Sequence, residues 1–161
     1  MAILEPQQDW NAWLDEHAGR LLLFARQQTG CGHDAEDVLQ EALVESWRRA
    51  GGRPELALVF KTIRRRAIDL GRSNRRRVAR ENGQELPELF TALPGEADTV
   101  EMLGKEVMRL PDTQREVLTL KFWGGLTFAE IADTLEIPQG TAASRYRLAL
   151  ESLRQTITTL I

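Results

Sequence analysis

A short break between two helical patterns constrains the carboxyl-terminal third of this chain more than any other feature. Thr127 and Glu130 have the spacing of a capping box, in which the threonine hydroxyl accepts from the Glu130 amide and the Glu130 carboxylate reaches back. Apolar residues follow at helical spacing as far as Leu135, residues 136–138 (Glu-Ile-Pro) interrupt them, and a second helical pattern covers about residues 139–157. Two helices joined by such a turn predict a helix-turn-helix, whose second helix enters the DNA major groove.

The second helix of this pair is amphipathic. Its apolar face is expected to pack on Ile131 and Leu135 and consists of Ala142, Tyr146, Ala149, Leu150 and Leu153. The residues near its start that we expect to face outward are Gln139, Thr141, Ala143, Ser144, Arg145 and Arg147. A helix amino terminus suits a phosphate, arginine can bind a guanine edge, and glutamine can bind adenine. An ordinary helical hairpin with a solvated face has the same spacing, so the pattern alone leaves both interpretations open.

Helical periodicity also dominates the rest of the chain, and strand signals are nearly absent, so we predict an all-α fold. The further helices are expected over about residues 10–28, 34–50, 55–77, 101–110 and 112–123. Asp34 is the predicted N-cap of the second helix. Residues 81–100 contain two prolines, two glycines and several acids, which predicts an acidic linker. We therefore expect two small helical domains, residues 1–80 and 101–161, of which the second contains the helix-turn-helix.

Charge is distributed in blocks although the net charge is only −3. Residues 51–80 carry 10 Lys/Arg against 2 Asp/Glu, and residues 1–50 carry 4 against 9. The arginines of the basic block are Arg64, Arg65, Arg66, Arg72, Arg75, Arg76 and Arg77. Like charges crowded on one helix repel unless a polyanion neutralises them, which favours nucleic acid over a merely solvated surface.

The predicted helix over residues 34–50 has an acidic face. That face consists of Glu36, Asp37, Gln40, Glu41 and Glu45, opposite Val38, Leu39, Ala42, Leu43, Ser46 and Trp47. Such a face disfavours DNA and is suited to a basic protein partner. Taken alone, the pattern is more typical of a helix that faces only water.

Several classes of protein receive little support. The single cysteine, Cys31, permits no disulfide within the chain, which fits a reducing cytosol. The amino terminus lacks the pattern of a signal peptide, and no apolar run approaches the roughly 20 residues of a membrane span, so we expect a cytoplasmic protein. Cys31, His33 and Asp34 lie together without the further ligands of a closed zinc site. With no phosphate-binding glycine loop or nucleophile elbow, we expect no metal, no cofactor, no small-molecule substrate and no enzymatic activity.

Three stretches in this order resemble a bacterial sigma factor of the extracytoplasmic-function (ECF) type, over nearly the whole chain. The first, DAEDVLQEALVESW, is similar to the family pattern D-A-E-D-x-x-Q-E-x-x-x-x-x-W. The second, FKTIRRRAIDLGR, is similar to the stretch that leads into the family's basic run. The third runs from LPDTQREV to PQGTAASR and matches the family's helix-turn-helix pattern.

The resemblance implies an initiation factor that binds core RNA polymerase and promoter DNA, and it implies an anti-sigma factor as a further partner. The first domain would read the −10 element and the second the −35 element. By position, the residues that would contact core polymerase are Asp37, Gln40 and Glu41. Those that would contact −10 DNA are Arg64, Arg65, Arg72 and Asn74. Those that would contact −35 DNA are Gln139, Thr141, Ser144, Arg145 and Arg147.

The chain departs from the family pattern inside the helix-turn-helix. Ala143 and Leu148 stand where many members carry a cation, and Glu136 replaces the usual glycine before Ile-Pro. Two alternatives to a promoter-reading sigma factor therefore stay open. One is a sigma-like regulator that binds polymerase without reading promoters, and the other is a stand-alone helix-turn-helix regulator, which would need a dimer to reach two half-sites.

Overall fold

The computed structural model describes the backbone of residues 6–78 and 104–160 and the side chains of residues 10–71 and 104–158. Every regular element in these ranges is helical, which confirms the predicted all-α fold. The first helix group consists of α1 (Pro6–Thr29), α2 (Gly32–Ala50) and α3 (Leu56–Val78). The second helix group consists of α4 (residues 104–109), α5 (Asp112–Leu118), α6 (Phe128–Leu135) and α7 (Gln139–Leu160). The predicted linker over residues 81–100 lies outside the described residues.

The start of α2 differs from the prediction. The helix begins at Gly32, so Asp34 lies inside its first turn instead of capping it. Cys31 is the N-cap residue and makes no side-chain capping bond. The acidic side chain of Asp34 still complements the positive end of the helix dipole. The helix ends in a glycine, since Gly51 adopts φ 70° and its N–H donates to the Arg48 carbonyl.

The helix that begins at Asp112 changes character before it ends. After Leu118 the backbone continues as a π-helical segment, Thr119–Trp123, and the Gly124 N–H donates to the Thr119 carbonyl at 2.9 Å. Gly124 lies so close to its surroundings that an added β-carbon would be 2.6 Å from the Leu120 oxygen and 3.1 Å from the Phe60 ring. This glycine therefore allows the π-helical segment to approach α3 closely.

The helix-turn-helix is present as predicted. The Glu130 N–H donates to the Thr127 hydroxyl at 3.1 Å, and the Thr127 N–H donates to the Glu130 carboxylate at 2.9 Å, which completes the capping box of α6. Glu136 ends the helix with φ 56° and ψ 47°, in the left-handed region. That conformation lets the Ile137 N–H reach the Ala132 carbonyl at 3.0 Å and turns the chain toward α7.

The core connects the two helix groups. One continuous apolar cluster contains buried residues of both, among them Phe24, Val38, Phe60, Val117 and Ile131. A second cluster lies within the second helix group and includes Val107, Leu110, Leu118, Ala149 and Leu153. Helices α3 and α6 pack against each other, and α1 contacts α5 and the π-helical segment. The two groups therefore form one packed body.

One expectation about α7 is wrong. Ala142 is buried in the cluster that contains Ile131 and Leu135, as predicted. Ala149 and Leu153 are buried too, but in the cluster formed with Val107, Leu110 and Leu118. Leu150 is 41% exposed. It lies beside Phe122 and Ile157 on an open apolar groove of the second helix group instead of packing on α6. The π-helical segment contributes to this groove, and its geometry is not visible in the helical periodicity of the sequence. None of the described helices is long and apolar enough to cross a membrane.

Candidate functional site

Helix α2 presents the predicted acidic face to solvent. Asp37, Gln40 and Glu41 are all exposed, while Ala35, Val38, Ala42 and Ser46 of the same helix are buried. Val44, one turn beyond Gln40, is 51% exposed. Residues spaced by three and four positions share one side of a helix, so these four side chains form a single stripe. We call Asp37, Gln40, Glu41 and Val44 the α2 stripe.

Val44 is not among the residues that the sequence pattern assigns to either face of the helix. An exposed apolar side chain beside polar groups supplies area that a protein partner could bury. The available signal was its spacing, four residues after Gln40 and three after Glu41.

Arg66 of α3 orients the acids of α2. Its Nη1 lies 2.8 Å from the Glu41 carboxylate, and its Nε lies 2.8 Å from the Glu45 carboxylate. The Glu41 side chain remains 60% exposed, so this ion pair holds the carboxylate in place without covering it. A preorganised carboxylate loses less side-chain entropy when a partner binds.

The predicted −10 residues divide between two environments. Arg65 is exposed, whereas the Arg64 guanidinium points toward the second helix group. Arg64 Nη1 lies 2.6 Å from the Glu116 carboxylate and 2.5 Å from the Gln28 side-chain oxygen. Arg72 and Asn74 lie on the described backbone of α3, and their side chains are outside what the structure describes.

The first turns of α7 carry the predicted −35 residues. Gln139 and Arg147 are exposed, and Thr141, Ser144 and Arg145 are partly exposed. The structure thus brings all five to one end of one helix, with the buried Ala142 between them facing α6.

Aromatic packing joins the first half of α7 to α6. The rings of Phe128 and Tyr146 meet edge to face at 5.6 Å between centroids, and the Lys121 ammonium lies 4.6 Å above the Phe128 ring. Edge-to-face rings and cation–π contacts both stabilise such a junction. Ring packing of this kind holds the outward-facing end of α7 in a defined direction relative to α6.

An aromatic cluster joins α1 and α2 in the first helix group. Trp10 stacks on Trp13 at 5.3 Å and meets Trp47 edge to face at 4.6 Å. His17 lies against Trp13, with its Nδ1 buried and unpartnered. Burial lowers the pKa of His17 below its ordinary value, against the nearby Glu16 carboxylate, which raises it. The lowered pKa favours the neutral form of His17, which packs against Trp13.

The candidate metal ligands of the sequence do not gather into a site. Within the described ranges, no group of three or more His, Cys, Asp or Glu side chains is placed to hold a metal ion. Cys31 is partly exposed and unpaired, at the turn before α2.

Two family models match the chain. The Sigma-70 region 2 family matches residues 13–77, and the Sigma-70 region 4 family matches residues 107–155. Together they cover most of the described helices, and the second match contains the helix-turn-helix.

Curated relatives agree with these matches. The chain is 33% identical over 146 residues to the ECF RNA polymerase sigma factor RpoE of Cereibacter sphaeroides, covering 82% of this chain and 77% of the relative. It is also 33% identical over 156 residues to the ECF RNA polymerase sigma factor SigL of Mycobacterium tuberculosis, covering 91% of this chain and 87% of the relative.

A solved structure has the same fold. It is the sigma factor RpoE of Bartonella quintana in complex with the anti-sigma factor NepR, with a TM-score of 0.69 over 94% of this chain and 98% of that one, at 23% identity. The region 2 and region 4 matches, the two curated relatives and the helix-turn-helix agree with one another. The chain belongs to the ECF family of RNA polymerase sigma factors.

Proposed function

We propose that this protein binds core RNA polymerase and directs it to promoters by recognising −10 and −35 elements. The observation that carries the proposal is the joint exposure of the α2 stripe and the amino-terminal end of α7 in a chain that matches both sigma regions. A protein-binding face and a DNA-binding face are both needed for a factor that brings polymerase to DNA.

Core polymerase is the proposed partner of the α2 stripe. Asp37, Gln40 and Glu41 supply acidic and polar groups, and Val44 supplies apolar area at the same side of the helix. A basic partner surface with an apolar pocket would be complementary to this arrangement. The exposed position of all four side chains supports an interface that needs no rearrangement of α2.

The −10 element is the proposed ligand of α3. Arg65 is exposed and available to a phosphate or a base, and Arg64, Arg72 and Asn74 share its helix. The basic block in which they lie contrasts with the acidic segments on both sides, which supports contact with a polyanion.

The −35 element is the proposed ligand of α7, through Gln139, Thr141, Ser144, Arg145 and Arg147. Residues 113–161 carry five cations and five anions, so long-range attraction contributes little to affinity there. A helix tethered through polymerase to a second DNA contact gains effective concentration instead. Promoter contact by this helix therefore depends on the holoenzyme.

An anti-sigma factor is a further proposed partner. The solved relative of the same fold was crystallised with the anti-sigma factor NepR, which is a property of that protein. We extend the expectation of such a partner to this chain because it shares the family and the fold. Residues 1–80 and 101–161 would remain the two functional domains, joined by residues 81–100.

A footprint of the reconstituted holoenzyme tests the proposal. Core polymerase with this protein should protect two DNA segments about 25 base pairs apart, about two and a half turns of the duplex. Core polymerase alone should protect neither. Protection without polymerase would favour the stand-alone regulator, and polymerase binding without a footprint would favour the regulator that does not read promoters.

A further inference from the structure

Two leucines near the middle of α7 are exposed, and they lie on different sides of the helix. Leu148 is 44% exposed and Leu150 is 41% exposed. Residues two positions apart on an α-helix point about 200° apart, so these two side chains face nearly opposite directions. Leu150 lines the apolar groove beside Phe122, whereas Leu148 is not part of the lining of that groove. The exposed surface of Leu148 therefore belongs to another side of the molecule.

Leu148 shares its side of α7 with two residues that are assigned above to −35 DNA. It follows Thr141 by seven positions and Ser144 by four, and this spacing places all three on one side of a helix. Thr141 and Ser144 are partly exposed. Ala142 and Ala149, the sequence neighbours of Thr141 and Leu148, are fully buried, so the shared side faces away from the core. We call Thr141, Ser144 and Leu148 the α7 stripe.

The α7 stripe has the length of a short contact with DNA. Thr141 and Leu148 are separated by a rise of about 10 Å, at about 1.5 Å per residue. The major groove of B-DNA is about 12 Å wide, so a helix that enters it by its first turns brings this whole length to base edges. Glu151, one turn beyond Leu148, is exposed, and its carboxylate repels phosphate. Leu148 is therefore the last residue of the stripe before the charge of the helix becomes unfavourable for DNA.

A leucine at this position favours a different base from the cation that it replaces in the family pattern. Arginine or lysine donates to the O6 and N7 atoms of guanine. Leucine has no donor, and covering the polar edge of a G·C pair with it leaves base atoms without hydrogen bonds, which is unfavourable. Thymine is the one base of DNA that presents a methyl group in the major groove, and contact between that methyl and a leucine removes apolar surface of both from water.

We propose that Leu148 is a specificity-determining residue of the −35 contact, which packs on the C5-methyl group of a thymine. The inference rests on the proposed function, because it takes α7 to lie in the major groove of the −35 element. A single exposed leucine is common on protein surfaces, and it is the position of Leu148 in the α7 stripe that gives it this role. Because the contact involves no charge, Leu148 changes which −35 sequence is preferred and leaves the salt dependence of binding unaltered.

Selection from promoters that are randomised in the −35 element identifies the base pair concerned. Reconstituted holoenzyme is incubated with the pool, and the bound DNA is sequenced. The unaltered protein should enrich thymine at one position where Leu148→Arg enriches guanine, because arginine binds the guanine edge. Leu148→Ala should lose the preference at that position alone. Leu150→Ala is the matched control, since it removes the same atoms from the opposite side of the helix, and it should select the same −35 sequences as the unaltered protein.

Removal of the thymine methyl group tests the contact itself. Deoxyuridine in place of the selected thymidine deletes only that methyl and should weaken holoenzyme binding about fourfold, the effect of withdrawing one buried methyl group. In holoenzyme with Leu148→Ala, the same DNA change should weaken binding less than about twofold, because most of the apolar surface that covers the methyl is gone. Holoenzyme with Leu150→Ala should keep the full difference between thymidine and deoxyuridine.

The results distinguish this inference from the proposed function. Equal effects of methyl removal in the unaltered protein and in Leu148→Ala would overturn the role of Leu148 while leaving the −35 contact intact. The same base preferences in Leu148→Arg, Leu148→Ala and the unaltered protein would overturn it as well. Failure of the holoenzyme to enrich any −35 sequence would instead overturn the proposed function of α7.

Discussion

Arg64, Arg65 and Arg66 are chemically identical and occupy three environments. Successive side chains point about 100° apart around a helix, so three neighbours cannot share a surface. Arg64 contacts Glu116, Arg65 faces solvent, and Arg66 contacts Glu41 and Glu45. Charge density along the sequence therefore predicts a contact with a polyanion for α3 as a whole, but burial decides which arginines are exposed to make it.

Glu136 is a residue under backbone strain. A left-handed conformation costs an L-residue about 1–2 kcal/mol. Glycine avoids this cost, but its greater chain entropy in the unfolded state offsets part of the gain in stability. Glu136→Gly should therefore raise the free energy of unfolding by about 0.5–1 kcal/mol, measured by urea denaturation. Gly125→Ala, at φ 69°, is the converse control and should lower it. A decrease for Glu136→Gly would show that its side chain stabilises the turn.

The free energy of unfolding is expected to depend on pH through His17. Because burial lowers its pKa in the folded state, the unfolded chain takes up the proton more readily, and stability is lost as the pH falls below about 6.5. Between about pH 7.5 and about pH 5.5, the free energy of unfolding should fall less in His17→Gln than in the unaltered protein. His33→Gln, at an exposed histidine, should keep the full decline. Equal declines in all three proteins would contradict this account of His17.

At the scale of elements, α2 is the helix that most directly tests the polymerase contact. Asp37→Ala combined with Gln40→Ala should weaken binding to core polymerase about tenfold, because two polar groups at the centre of the α2 stripe are lost. Titration of labelled protein with core polymerase measures this. Glu36→Ala removes a carboxylate at the edge of the same exposed surface and should have a smaller effect. Unchanged affinity in the double variant would refute the assignment.

Helix α7 contains an arginine that we expect to contact the −35 element and a second arginine that can serve as its control. Arg145 lies in its amino-terminal half, while Arg154 lies near its other end beside the apolar groove. Arg145→Ala should reduce transcription from −35-dependent promoters about tenfold or more, since a good arginine–base contact contributes about 1–3 kcal/mol. Arg154→Ala should leave the −35 preference as it is. The reverse ranking would move the reading surface to the other end of the helix.

Helical periodicity was sufficient to predict most elements, and local side-chain chemistry was sufficient to predict the capping box at Thr127. The same information did not predict the π-helical segment, because its apolar spacing resembles that of an ordinary helix. Nor did it place the start of α2, where the turn geometry at Cys31 prevails over the capping preference of Asp34. Boundaries depend on such local competition more than the existence of a helix does.

At the scale of the whole molecule, long-range pairing is what the sequence does not reveal. Arg64 and Glu116 are 52 positions apart, and Lys61 and Asp133 are 72 apart. The residues proposed for DNA were recognisable from charge and family pattern. Their present partners depend on how α3 packs on α6 and on the π-helical segment, which only the folded chain shows.

Promoter-specific initiation by polymerase is the activity that we propose for this protein. Run-off transcription from a pool of promoters, with purified core polymerase and with or without this protein, tests it most directly. The account predicts transcripts from a defined subset of promoters only when both proteins are present. Binding of the protein to core polymerase with no promoter-specific transcript would contradict it.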